Sequence, residues 1–226
     1  RVEFASRLMY GMLILDESKE IAKAGKEASG LLLKAVMERG IESTVMPKAL
    51  QRYAALNTRL NLFSKYSGEE IPETLEFQDV LRDACEGRVS LAQLREYDFY
   101  TATLSRFPSS VQRHLEAYLP TQISLGRKKT FRVHYEEGKN PWVASYLQDF
   151  FGLREGPYLC DGRLPLTLHL WAPNRRAVQV TSDLAGFWER HYPQLRPGLS
   201  RRYPKHDWPS DPISSQPPPP SGRYRR

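Results

Sequence analysis

Between Leu164 and Trp171 the chain alternates. Leu164, Leu166, Leu168 and Leu170 are apolar, and Pro165, Thr167, His169 and Trp171 fall between them. A period of two predicts a strand that buries one face. Ala172-Pro173-Asn174-Arg175 then has turn chemistry, because Pro fixes φ and Asn tolerates left-handed geometry. Arg176 to Thr181 alternates again, through Ala177, Val178 and Val180. Ser182 or Asp183 is placed to cap a following helix, whose apolar side is Leu184, Phe187, Trp188 and Tyr192. A Trp- and Pro-rich clasp closes the stretch at Pro212. Upstream, Ile123, Leu125, Phe131, Val133 and Tyr135 flank Gly126-Arg127-Lys128-Lys129. That pattern predicts a β-hairpin over Gln122 to Tyr135 with a basic turn and Arg132 outward. Pro141 to Phe151 reads as a helix, with Trp142, Val143, Leu147, Phe150 and Phe151 at helical spacing and Gly152 at its end.

The N-terminal half has a different texture. Arg1 to Leu15 reads as two short strands, with Val2 and Phe4 alternating and a near-continuous apolar run from Met9. Asp16 to Gly40 has good helix formers and a glycine C-cap. Lys48 to Tyr66 forms a second helix behind Pro47, and Ser67 to Glu73 is a loop. Thr74 to Cys85 is a third helix, stopped by Gly87. Ser90 caps a fourth over Leu91 to Leu104, and Pro108-Ser109 opens a fifth that ends at Tyr118. The leucine and aromatic stripes of these helices are core positions. After Pro212, four consecutive prolines with Ser, Gln and Gly favour an extended, disordered tail.

The expected class is therefore α+β. Residues 1–15 form a strand pair whose partners are missing, and 16–107 a helical connector. A mixed domain with antiparallel hairpins and packed helices spans 108–212, and 213–226 is the tail. A chain that opens on Arg within strand-like sequence is expected to be a fragment of something longer.

Charge narrows the partners. The net charge is +7, and 40% of the residues are hydrophobic, so a real core coexists with a basic surface. That balance favours anionic partners. No run of about 18 apolar residues is present to span a membrane. Cys85 and Cys160 show no CxxC spacing, and two free buried thiols are expected. His169, His191 and His206 with Cys160 fit no zinc spacing. Asp183 and Glu189 read as a cap and a surface charge rather than an acid/base pair. GxxxxGK[ST], a DExH-like acidic box, GxSxG, HExxH and GxGxxG are all missing, so the chain by itself is not expected to hydrolyse ATP.

One constellation remains, in which basic residues interleave with aromatics. Arg127, Lys128, Lys129 and Arg132 belong to the first hairpin, and Arg175 and Arg176 to the second turn. Arg201, Arg202 and Lys205 follow, with Arg190 and Arg196 among Trp188, Tyr192, Tyr203 and Trp208. Guanidinium groups suit phosphates and aromatic faces can stack bases. The alternative is structural, with Trp188 and Tyr192 in the core and Arg201 and Arg202 paired with Asp207 and Asp211.

The run RRAVQVTSDLAGFWERHYP followed by RRYPKHDWPSDP resembles the C-terminal region of HrpB-type bacterial DExH-box (DEAH/RHA-like) ATP-dependent RNA helicases. FRVHYEEGKNPWVASYLQDFFGL resembles the same family. RLMYGMLILDE is similar to the end of the oligonucleotide-binding-type barrel that precedes that region, which implies that residues 1–15 are the closing strands of such a barrel. The resemblance covers most of Arg1 to Pro212 and not the Pro-rich tail. It implies a cytoplasmic helicase whose motor, with its ATP and Mg²⁺, lies N-terminal of this chain, so no cofactor and no catalytic residue falls here. Two readings follow. In one, the region contacts single-stranded RNA beside the motor domains of the same protein. In the other it is a structural module that braces those domains or docks a partner protein. A free-standing enzyme has no motif to support it.

Overall fold

A computed structural model describes residues 1–69, 76–125 and 129–218. The chain divides into two units, Arg1–Asn57 with Ile71–Ser109 and Thr58–Glu70 with Ser110–Arg226. Both mix helices with small sheets, and no closed barrel occurs among the described residues.

In the first unit, β1 (Glu3–Tyr10) and β2 (Leu13–Ile21) pair antiparallel from Glu3↔Ile21 to Tyr10↔Leu13. Every residue of both strands is exposed. The ribbon is tied at its base, where the Val2 amide donates to the Val89 carbonyl at 2.7 Å and the Ala22 amide to the Val2 carbonyl at 3.1 Å. Asp16 to Ile21 is thus strand, not the start of a helix. Cross-strand pairing of Arg7 with Glu17 shows why: DESKEI alternates well enough to continue the ladder, and tertiary pairing overrides helix propensity.

The helix proper is α1 (Lys26–Arg39), which buries Ala28, Leu32 and Val36, four residues apart. Gly40, at φ 85°, ends it and leads into α2 (Ile41–Thr44). α3 (Pro47–Ser67) follows, with Pro at its first position. α4 (Phe77–Cys85) buries Val80, Leu81, Ala84 and Cys85. Thr74 and Leu75, expected to open this helix, lie outside the described residues. The expected single helix from Leu91 is two, α5 (Leu91–Arg95) and α6 (Phe99–Leu104). The reason is a second cap: Ser90 accepts from the Gln93 amide, and Asp98 accepts from the Thr101 amide. Leu32, Val36, Tyr53, Leu81, Leu94 and Phe99 meet in one core.

The second unit starts from the later turns of α3. Arg59 is 1% exposed. Its guanidinium donates to the Leu119 carbonyl at 2.8 Å and to Glu116 at 2.6 Å, and lies 5.6 Å from the Tyr135 ring centroid. It thereby fixes the end of α7 (Ser109–Tyr118). β3 (Gln122–Leu125) and β4 (Lys129–Arg132) form the expected hairpin, from Gln122↔Arg132 to Leu125↔Lys129.

Then the expectation fails. Pro141 to Phe151 is β5 (Trp142–Tyr146) followed by a tight helical turn, Leu147–Phe150. β6 (Tyr158–Leu159) and β7 (Leu164–Pro165) make a two-residue ladder, so the strand expected over Leu164 to Trp171 is interrupted at Leu166 and its two parts join different sheets, while its leucines are buried as expected. β8 (Thr167–Trp171) pairs parallel with β5 and antiparallel with β9 (Ala177–Thr181), so this sheet is mixed, in the order β5-β8-β9. α8 (Leu184–Gly186), capped by Asp183, widens into a π turn at Phe187–His191 and continues as α9 (Tyr192–Arg202).

The clasp is held by named hydrogen bonds. Tyr192 donates to the Pro209 carbonyl at 2.9 Å, Arg196 to the Trp208 carbonyl at 2.8 Å, and the Trp208 indole to the Tyr203 carbonyl at 3.0 Å. Gly152, at φ 84°, donates to the Pro212 carbonyl, and a side chain there would begin 2.9 Å from the Ser215 carbonyl oxygen.

Arg59 gives a testable asymmetry. Arg59→Ala strips a buried carbonyl of its donor and opens a cavity, and should cost about 3 kcal/mol in chemical denaturation. Glu116 is 54% exposed on its side chain, so Glu116→Gln should cost less than about 1 kcal/mol.

Candidate nucleic-acid interface

Strand alternation sorts the β5-β8-β9 sheet into two faces. Val143, Ser145, Leu168 and Leu170 are buried on one. Trp142, Ala144, Tyr146, Thr167, His169 and Trp171 are half-buried on the other, with Val180 49% exposed beside His169. A bridge extends the outward face: the His134 amide donates to the Trp142 carbonyl at 2.8 Å, and the Trp142 amide returns to the His134 carbonyl at 3.1 Å. The His134 ring stacks on Trp142 at 3.9 Å between centroids, nearly parallel at 8°. Trp142 stacks in turn on His169 at 4.5 Å and 28°. Three flat rings therefore run across the strands.

Polar groups fix this stack. The Trp142 indole donates to Glu136 at 3.2 Å, and Lys139 pairs with the same carboxylate at 2.6 Å. Lys139 holds the Glu136 carboxyl below its ordinary range. Next to the stack lies a hollow of about 360 Å³, lined by Glu136, Lys139, Asn140, Trp142, Thr167, His169 and Val180. Burial pushes both imidazoles below their ordinary 6.5, with Arg132 adding to the effect on His134 and Lys139 to that on His169, while Glu136 opposes it at both. Neutral imidazoles at neutral pH make the stack aromatic rather than cationic.

The basic residues singled out from the sequence divide into three groups. The first gathers around this face. Lys129 donates to Asp149 at 2.5 Å, and Asp149, 6% exposed, also accepts from Ser145. Its ammonium compensates a buried carboxylate and lies 5.9 Å from the Tyr146 ring centroid. Arg175, at φ 63°, is exposed and donates to the Tyr146 hydroxyl at 3.3 Å. Tyr146 thus brings Lys129 and Arg175 together. Arg132 is exposed on β4, two residues before His134 on the same side of the strand, and Arg176 is exposed beside Arg175. Among the described residues neither Arg132 nor Arg176 has an ion-pair partner.

The second group is structural. Arg190 pairs with the capping Asp183 at 2.7 Å, and Arg196 holds the clasp. Trp188, Tyr192 and Trp208 are buried, so they offer no face for stacking. Burial pushes the Tyr192 hydroxyl up to about 12.

The third group, Arg201, Arg202 and Lys205, is exposed at and beyond the end of α9. The expected pairs with Asp207 and Asp211 do not form among the described residues: Asp211 instead accepts from Ser214 and the Ile213 amide. Positive charge in a last turn also suits the helix dipole. Arg127 and Lys128 lie outside the described residues.

Sequence reasoning missed the stack itself. WVASY carries two outward aromatics at period two, but Pro141 and the following apolar residues also fit a helix. The outward Thr167-His169-Trp171 face was already visible, and an exposed strand face bearing His and Trp instead of charge was the available signal.

Residues 80–212 match the family HrpB_C, described as ATP-dependent helicase C-terminal. The ATP-dependent RNA helicase HrpB of Escherichia coli (strain K12) is 34% identical over 128 residues, which is 57% of this chain and 16% of that protein. A crystal structure of the E. coli DExH-box NTPase HrpB superposes with a TM-score of 0.72 at 27% identity, over 94% of this chain and 27% of the other. A second, of the E. coli DEAH/RHA helicase HrpB, gives 0.61 at 26% identity, over 90% and 26%. The chain therefore spans about a sixth of the curated relative's length.

The histidine stack predicts a pH dependence. Depressed folded-state pKa values mean that the unfolded chain takes up protons first as pH falls. The contribution is complete above the ordinary value of 6.5 and is lost as pH drops toward the folded values. The denaturation midpoint should fall between about pH 7 and about pH 5, and His134→Gln with His169→Gln should make that fall shallower. His206, also lowered by burial, leaves a residual slope.

Proposed function

The chain belongs to the HrpB_C family of ATP-dependent helicase C-terminal regions, and from that premise we propose that it is an accessory module contacting single-stranded RNA beside the motor. The observation that carries the reading is the convergence on Tyr146. Lys129 and Arg175, distant in sequence, meet there beside an outward aromatic sheet face. Arg132, Arg175 and Arg176 supply exposed guanidinium groups for phosphates, which fork-shaped donors bind well. Arg201, Arg202 and Lys205 form a secondary basic cluster. Arg127 and Lys128 extend the first turn's charge by sequence alone.

In this reading ATP and Mg²⁺ are held by motor domains of the same protein, which hydrolyse NTP and couple it to unwinding in the cytoplasm. No helix among the described residues is long and apolar enough to cross a membrane.

A second role rests on a separate observation. The β1–β2 ribbon exposes Leu8, Met9, Tyr10, Met12, Leu13 and Leu15, an apolar set that calls for covering. We assign it to the closing strands of an oligonucleotide-binding-type barrel, so that this end braces the helicase while the sheet face meets RNA.

Titration of a labelled single-stranded RNA with the 226-residue chain tests the proposal. Affinity should fall steeply with salt, because phosphate contacts release counterions. Arg132→Ala, Arg175→Ala and Arg176→Ala together should weaken binding by about tenfold or more and flatten the salt slope by about two to three. No binding at low salt, or binding indifferent to salt, contradicts it.

A further inference from the structure

The hollow beside His169 has a chemistry that phosphate binding does not explain. Its lining combines aromatic and polar side chains. The Trp142 ring lies between His134 and His169, so the stack ends at His169, whose partner on β9 is Val180; Trp142, His169 and Val180 all line the hollow. The Trp142 indole donor is engaged by Glu136, and the Glu136 carboxylate by Lys139. The Asn140 amide and the Thr167 hydroxyl are left as lining groups able both to donate and to accept. The lining sets the Trp142 and His169 rings and Val180 beside the polar groups of Asn140 and Thr167, a combination that suits a flat ring with polar edges.

We propose that this hollow takes one unpaired nucleobase of a single strand, stacked on His169 and Val180 and hydrogen-bonded by Asn140 and Thr167. The inference deepens the RNA-contact reading and rests on it. Arg132 on β4 and Arg175 at the Tyr146 end put cations to the sides of the same outward face, where a backbone leading to and from the base would run. Stacking is tolerant of base identity, because every base has a π face. Neutral imidazoles suit it, since a stacked neutral ring needs no counter-charge.

The test compares strands that differ only in their bases. The 226-residue chain is titrated with a short oligoadenylate RNA, the abasic strand of the same length, and the matching DNA, at constant low salt with tryptophan emission as the readout. The base-bearing RNA should bind about tenfold tighter than the abasic strand. His169→Ala should remove that advantage while leaving abasic binding unchanged. Val180→Gln, at an exposed edge-strand position, should reduce it without a change of charge or fold. Binding of DNA comparable to RNA supports the base as the recognised group.

Equal binding of abasic and base-bearing strands overturns the inference and leaves phosphate contact standing. Binding by RNA alone, with DNA no better than abasic, assigns recognition to the 2′-hydroxyl and also overturns it. No binding by any strand overturns both readings together.

Discussion

A three-stranded sheet covered on one side must do something with the other. In β5-β8-β9 the covered side is fixed by Val143, Leu168 and Leu170, all fully buried. Side chains alternate along a strand, so this choice places Trp142, Tyr146, His169 and Trp171 outward with no further freedom. A register slip of one residue would bury imidazole and expose leucine. The outward face is thus a direct consequence of the core, and its chemistry is unusual for a solvated surface. It is aromatic, stacked, and bounded by cations.

Neighbouring elements hold that face in place. Asp149, buried just after β5, needs a counter-charge, and Lys129 from the β3–β4 hairpin supplies it while Ser145 satisfies a further lone pair. Lys129, the first residue of β4, is therefore tied to the sheet by electrostatics. Gln148 donates to the Asp207 carbonyl and contacts His206, so the turn that follows β5 also anchors the clasp. Arginines that look alike in sequence end in different roles. Arg196 holds the clasp, Arg190 serves a helix cap, and Arg175 reaches the aromatic face.

Much of this was legible beforehand where one signal dominated. The alternation of Leu164 to Leu170, the Asp183 and Ser90 caps, Pro47 at a helix start and the Gln122–Arg132 hairpin all follow from local chemistry. The family match over residues 80–212 was legible from the rare residue types of the clasp. What failed did so where two patterns coexist. DESKEI suits a helix as an isolated segment and a strand once β1 is beside it. Residues 142–151 satisfy both periods, and only the parallel pairing with β8, twenty-odd residues away, selects the strand. The stack could not be read at all from one dimension, because His134, Trp142 and His169 are brought together by a bridge and a parallel ladder that local sequence does not encode.

The proposed RNA contact lies on the outward sheet face rather than at the α9 terminus or the clasp. Photocrosslinking of a 4-thiouridine-bearing single-stranded RNA to the 226-residue chain, followed by peptide mass spectrometry, separates these possibilities. Adducts concentrated in peptides containing Trp142–Tyr146 and Thr167–Trp171 are the predicted result. Adducts confined to Arg201–Lys205, or none on either strand, would contradict it.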